Sequence, residues 1–173
     1  ELSGLTLADI DFTNQKINVN KQLLRNPKGV YRVETPKTEN GIRCIPMLDE
    51  GLRAAFRRVI QNRKPPSVEM LIDGYTGFLF LDSNGKPKVA RHFQYELKML
   101  VARYNKTHSI MLPNITPHIL RHTYCTEMAA KGMNLKALQF LMGHNDASTT
   151  LNIYSHSDYE LAEKEVKRVL NFC

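Results

Sequence analysis

The helix punctuation between Thr116 and Gly143 constrains this chain more than any other feature of its 173 residues. Thr116 is a side-chain cap, and Pro117 occupies the first helical position, where a missing N–H costs nothing. Gly132 stops that helix as a left-handed C-terminal residue. Asn134 opens a second helix, which closes at Met142-Gly143. The pattern therefore predicts one helix from Pro117 to about Lys131 and another from Asn134 to Met142. His118 and Arg121 then share one helical face, because residues three apart are neighbours on a helix. His144 follows the glycine that ends the second helix. Tyr154 comes ten residues later, in a short helix predicted around Ala147 to Tyr154 and opened by Ser148 and Thr149. Basic groups able to hold a phosphate are followed at short range by a phenol able to attack it.

Upstream, the periodicity changes. Residues 1 to 11 read as the end of a helix and a turn. Lys16 to Val19 alternates polar and apolar residues, the period of a half-exposed strand. A second strand is predicted near Val30 to Thr35, after the turn signal Asn26-Pro27-Lys28-Gly29. Asn40-Gly41 is a strong hairpin signal. It places Lys37 near the end of one strand and Ile42 to Met47 on the next. Asp49 caps a helix from about Glu50 to Arg63, with Leu52, Ala55, Phe56, Val59 and Ile60 as its core face. Arg53, Arg57, Arg58, Arg63 and Lys64 form a basic face, solvated by default. Phe78 to Leu81 is a short buried strand or connector. A helix from Val89 to Tyr104 turns Phe93, Leu97, Leu100 and Val101 inward, with Arg91 and His92 in its first turn. A last amphipathic helix runs to about Asn171, capped by Ser157 or Asp158. The expected fold class is α+β: a mainly helical domain with a small antiparallel sheet on one side.

Charge narrows the partner. The net charge is +7 and the pI about 9.4, which points to nucleic acid rather than a membrane, since no long basic amphipathic helix accompanies it. Apolar runs are too short to span a bilayer, and no secretory signal is read at the start. Three widely spaced cysteines, Cys44, Cys125 and Cys173, argue for a reducing cytoplasm and against a disulfide framework. His118 and His122 lie four apart, as metal-binding helices require, but Ile119 stands where a metalloprotease helix needs glutamate. No third ligand is evident, so no metal is expected, and His122 is read as a hydrogen-bonded core residue. Arg121, in a half-apolar helix, demands an anion, either an internal carboxylate or a phosphate. A phenol such as Tyr154 attacks phosphorus at neutral pH only where cations stabilise the phenolate and the developing charge. A hairpin lysine such as Lys37 is solvated, or it protonates a leaving alkoxide.

Together these residues resemble the tyrosine recombinase (phage integrase) family. The similarity rests on His118-Ile-Leu-Arg121-His122, Leu-Met-Gly-His144, Thr-Leu-Asn-Ile-Tyr154-Ser-His, and the Lys37 hairpin. The opening residues, from Glu1 to Phe12, are also similar to the family segment that follows its first catalytic arginine. The motifs occur in the family's order across nearly the whole chain.

The resemblance implies a DNA breaking-rejoining fold and site-specific recombination or integration, in the service of a mobile element or prophage. It implies that Tyr154 forms a 3′-phosphotyrosine link to DNA, that Arg121 and His144 contact the scissile phosphate, and that His118 takes part in phosphate contact and proton transfer. Lys37 corresponds to the general acid, and Glu1 to a supporting acidic residue. Neither metal nor nucleotide cofactor is implied, because the covalent link conserves the phosphodiester energy. The implied partners are double-stranded DNA and three further copies in a synaptic homotetramer, with a monomer when free, at the nucleoid of a bacterial cytoplasm. The last helix packs on its own domain or on a neighbouring protomer. Residues 1–173 are expected to be a catalytic-domain fragment. The family's first arginine would lie three positions before Glu1, together with an upstream core-binding domain, so the fragment alone is expected to be weak or inactive. Two other readings remain open at this point: type IB topoisomerase-like relaxation of DNA, and a non-catalytic DNA-binding module.

Overall fold

The structure is a computed structural model that describes residues 1–144 together with Glu163, Val166, Lys167 and Leu170. The chain divides into two units, Glu1–Ile115 and Thr116–Cys173. The fold is α+β, with two small antiparallel sheets and four α-helices among the described residues.

In the first unit, two short 3-10 turns (Leu2–Gly4 and Leu7–Asp9) lead into β1 (Ile10–Asp11) and β2 (Lys16–Val19). The alternation read in Lys16 to Val19 is realised: Ile17 and Val19 are buried and their neighbours are not. β3 (Gln22–Arg25) pairs with β4 (Tyr31–Glu34) through the Asn26–Gly29 turn, where Gly29 has a φ of 85° and donates to the Asn26 carbonyl at 2.9 Å. β5 (Arg43–Pro46) then pairs with β2, setting Ile17 opposite Ile45 and giving the order β1-β2-β5.

That pairing corrects the expectation for Asn40-Gly41. The two residues do not turn a hairpin. They lie in a 3-10 turn, Glu39–Gly41, on a connection between two separate sheets. β4 ends at Glu34 and its partner is β3, a strand that the sequence pattern did not reveal. Lys37 is therefore exposed on the connection, three residues past β4, and not at a strand end beside β5.

Asp49 caps α1 (Glu50–Gln61) by accepting from the Leu52 N–H at 2.7 Å. Phe56 is buried and Val59 and Ile60 half-buried against the three-stranded sheet, in a core with Leu5, Ile10, Ile17, Val19, Met47 and Leu79. The predicted basic face of α1 is largely ion-paired: Arg53 and Arg57 meet Glu50, and Arg63 meets Glu69. Phe78 and Leu79 act as a buried connector, bridged to the opening segment by a 2.8 Å bond from the Leu79 N–H to the Leu5 carbonyl. α2 (Ala90–Asn105) buries Val101, with Phe93 and Leu97 half-buried, but leaves Leu100 exposed, contrary to its expected inward face. His92 accepts from the Val89 N–H through Nδ1 at 2.9 Å, so it serves the start of its own helix.

The second unit follows the punctuation. α3 (Pro117–Ala130) is capped by Thr116, and Gly132 turns the chain with a φ of 77°. α4 (Leu135–Met142) is capped by Asn134, which accepts from the Lys136 and Ala137 N–H groups. The two helices bury Cys125 and Ala129 against Leu138 and Met142. Glu163 and Lys167 form an i,i+4 ion pair at 2.7 Å, on helical residues. The remaining residues from 145 onward, with Tyr154 and most of the predicted last helix, lie outside the described part.

A buried ion pair fixes the start of the chain. Asp9 accepts from Lys21 at 2.6 Å, and from the Thr6 hydroxyl and N–H at 2.7 Å each. Both charged side chains are about 5% exposed. Removing one partner strands the other charge in the core. Lys21→Ala is expected to lower the unfolding free energy in urea by about 3–5 kcal/mol, whereas the exposed Lys64→Ala should change it by less than about 0.5 kcal/mol.

Candidate active site

The second unit gathers three of the predicted site residues around two helix ends. His118 stands in the first turn of α3, where proline and the Thr116 cap fix the backbone, and its side chain is exposed. Arg121, one turn later on the same face, is half-buried. Its guanidinium donates to the main-chain carbonyl of Met142, the last residue of α4. This contact has a simple physical origin. The last carbonyls of a helix lack intrahelical partners and carry the negative end of its dipole.

The same helix end delivers His144. Gly143 adopts the left-handed conformation, with φ 65° and ψ 31°, and so closes α4. The next residue is held at its main chain from both directions. The His144 N–H donates to the Gln139 carbonyl at 3.2 Å, and its carbonyl accepts from the Gln139 side chain at 3.1 Å. Arg121 therefore reaches a carbonyl two residues before His144, and the cation and the imidazole-bearing residue share one end of α4.

His122 corrects the sequence expectation. It is exposed, and with His118, Ile119, Thr123, Thr126 and Glu127 it lines a groove along α3. The residues that α3 buries against α4 are Cys125 and Ala129, while His122, near them on the helix, stays exposed. Cys125 lies on the packed side, and burial pushes its thiol above the usual cysteine range, against the opposing effect of Arg121.

Lys37 and Glu1 belong to the first unit. Lys37 is exposed, between Pro36 and the Glu39–Gly41 turn. Both carboxylate oxygens of Glu1 accept from Arg43, at 2.9 and 3.0 Å. The sequence reading did not single out Arg43. Its signal was an arginine at the first position of an otherwise apolar strand, two residues past Gly41. Tyr154 lies outside the described residues. Among those described, no three histidine, cysteine or acidic side chains come together as a metal site.

Two outcomes follow from this geometry. Gly143→Ala places a side chain in the left-handed region and is expected to cost about 1–2 kcal/mol, read by urea denaturation. In a Cys173→Ser background at pH 8, a thiol reagent should modify exposed Cys44 promptly. Cys125, held protonated by burial, should react only when the protein is unfolded.

Known proteins resemble the chain over its whole length. A transposase from transposon Tn916 of Enterococcus faecalis is 48% identical over 169 residues, which cover 98% of this chain and 41% of the transposase. The integrase of Staphylococcus phage L54a is 27% identical over 98% of this chain and 48% of its own length. Among solved structures, the Tn1549 transposon integrase in complex with transposon right end DNA superposes with a TM-score of 0.87 at 47% identity, covering 98% of this chain and 54% of that one. XerA recombinase shares the fold at a TM-score of 0.60 and 20% identity, over 97% of this chain and 51% of its own. The chain thus spans about half, or somewhat less, of the proteins it matches. The Phage integrase family profile matches residues 1–161, and with these likenesses it establishes that the chain belongs to the phage integrase family.

Proposed function

We propose that this chain is the catalytic domain of a tyrosine-type site-specific recombinase, the integrase of a mobile genetic element. It cuts and rejoins double-stranded DNA through a 3′-phosphotyrosine intermediate. The observation that carries the reading is the meeting of Arg121 with the carbonyl end of α4, two residues before His144. A guanidinium and a histidine at one helix end suit a phosphodiester, whose non-bridging oxygens accept from both. The 48% identity to a Tn916 transposase supports the mobile-element assignment.

The chemistry follows from the residue types. Tyr154 attacks the scissile phosphorus through its phenolic oxygen, and its proton passes to His118. The bond from phosphorus to the 5′-oxygen breaks, and Lys37 protonates the departing oxygen, freeing a 5′-hydroxyl. Arg121 and His144 hold the non-bridging oxygens, where negative charge accumulates. The phosphotyrosine keeps the energy of the broken phosphodiester, so rejoining needs no nucleotide cofactor. Reversal by the 5′-hydroxyl of a second DNA strand exchanges partners. In the full-length protein the family resemblance adds an arginine three positions before Glu1 and an upstream DNA-clamping domain. Four protomers on two DNA sites complete the assembly, in the bacterial cytoplasm.

The test uses full-length protein and a nicked DNA substrate that traps the covalent complex. Tyr154→Phe is expected to bind DNA like the wild type and form no covalent complex. Arg121→Ala is expected to slow trapping by about 10²–10³-fold, the range for losing one donor to a developing oxyanion. Covalent trapping by Tyr154→Phe at the wild-type rate would overturn the reading.

A further inference from the structure

We infer that Arg43 is a positioning residue for Lys37, acting by clamping the connection between the two sheets to the segment that opens the chain. The inference rests on the reading of Lys37 as the proton donor above. It starts from burial. The Arg43 side chain is 4% exposed, and a guanidinium withdrawn from water that far must have its donors met. Its two terminal nitrogens fork onto both oxygens of the Glu1 carboxylate, and one of them also donates to the Gly41 carbonyl at 2.9 Å. Planar forks of this kind fix orientation as well as distance.

Gly41 transmits that constraint to Lys37. Its N–H donates to the Thr38 carbonyl at 2.9 Å. A Cβ placed on Gly41 would lie 2.3 Å from the Cβ of Pro36, so proline and glycine are in direct apposition. Lys37 sits between Pro36 and Thr38. Both of its neighbours therefore bear on Gly41, one by packing and the other by a hydrogen bond, while its own side chain stays exposed. Arg43 holds the Gly41 carbonyl and so determines where the base of the lysine stands. A proton donor is effective only within hydrogen-bond reach of the leaving oxygen, and a misplacement of about 1 Å can cost on the order of 10²-fold.

The experiment separates placement of the proton donor from general damage. Full-length protein is assayed on two DNA substrates, one with the ordinary 5′-oxygen at the cleavage position and one with a bridging sulfur there. The sulfur departs as a thiolate and needs no proton. Arg43→Met is expected to slow cleavage of the oxygen substrate by about 10- to 100-fold and to cleave the sulfur substrate close to the wild-type rate, the same pattern as Lys37→Ala. Equal slowing on both substrates, or no slowing on the oxygen substrate, would overturn the inference. If Arg43→Met loses its cooperative thermal transition, Arg43→Lys decides by the same comparison, because it keeps the charge but cannot fork onto both Glu1 oxygens. Wild-type protein that cleaves neither substrate would instead remove the recombinase reading itself.

Discussion

A guanidinium half withdrawn from water must be met by negative charge, and Arg121 is met by the end of a helix dipole. The Met142 carbonyl has no partner along α4, so it accepts from Arg121 on α3. That bond joins two helices that also pack through Cys125 and Ala129 against Leu138 and Met142. It also explains why fold and site cannot be separated here. The residue that answers the arginine precedes the left-handed glycine, and the glycine precedes His144. Helix packing, helix termination and the placement of a second phosphate-binding group follow from one contact.

The first unit uses cations differently. Lys21, Arg43 and Arg63 are directed inward, each onto a carboxylate from elsewhere in the chain. Lys21 ties the β2–β3 connection to a 3-10 turn, Arg43 ties β5 to the opening residue, and Arg63 ties the end of α1 to the connector that follows it. The net charge of +7 is thus a poor guide to which cations meet a ligand. Side chains read as a solvated basic face on α1 turn out to hold Glu50 and Glu69.

Legibility in the sequence followed the locality of the physics. Caps act within four residues, so Thr116, Gly132, Asn134 and Gly143 could be read directly, and the structure places each helix end where they predict. The α+β class was legible for the same reason. Strand pairing is not local. Asn40-Gly41 has the composition of a hairpin turn, yet β5 gains more by pairing with β2, where Ile17 and Ile45 join the core beneath α1. β3 escaped notice because only Leu23 of its four residues is buried, which leaves no alternation to read. It is seated against the first 3-10 turn, where a Cβ on Gly4 would come within 2.9 Å of the Lys21 carbonyl. With a metal role set aside, His122 is expected in the core, whereas the α4 contact selects Cys125 and Ala129. Family motifs named the candidate residues His118, Arg121 and His144. The support beneath Lys37 could not be named that way, since Arg43 acts through Gly41 and Glu1, two and forty-two residues away, and meets them only after folding.

The connection that carries Lys37 starts at one sheet and ends at another. Its ends are set by independent strand pairings, β4 with β3 and β5 with β2. It is a strut fixed at both ends, unlike the Asn26–Gly29 turn, which closes a single hairpin. Added length therefore has a different consequence in the two places. Residues can be added at the hairpin tip with only that tip responding. An insertion between Glu34 and Arg43 leaves both sheets intact and alters the path of the strut alone. Variation in that strut among relatives would retune the reach of the lysine without disturbing the fold that bears it.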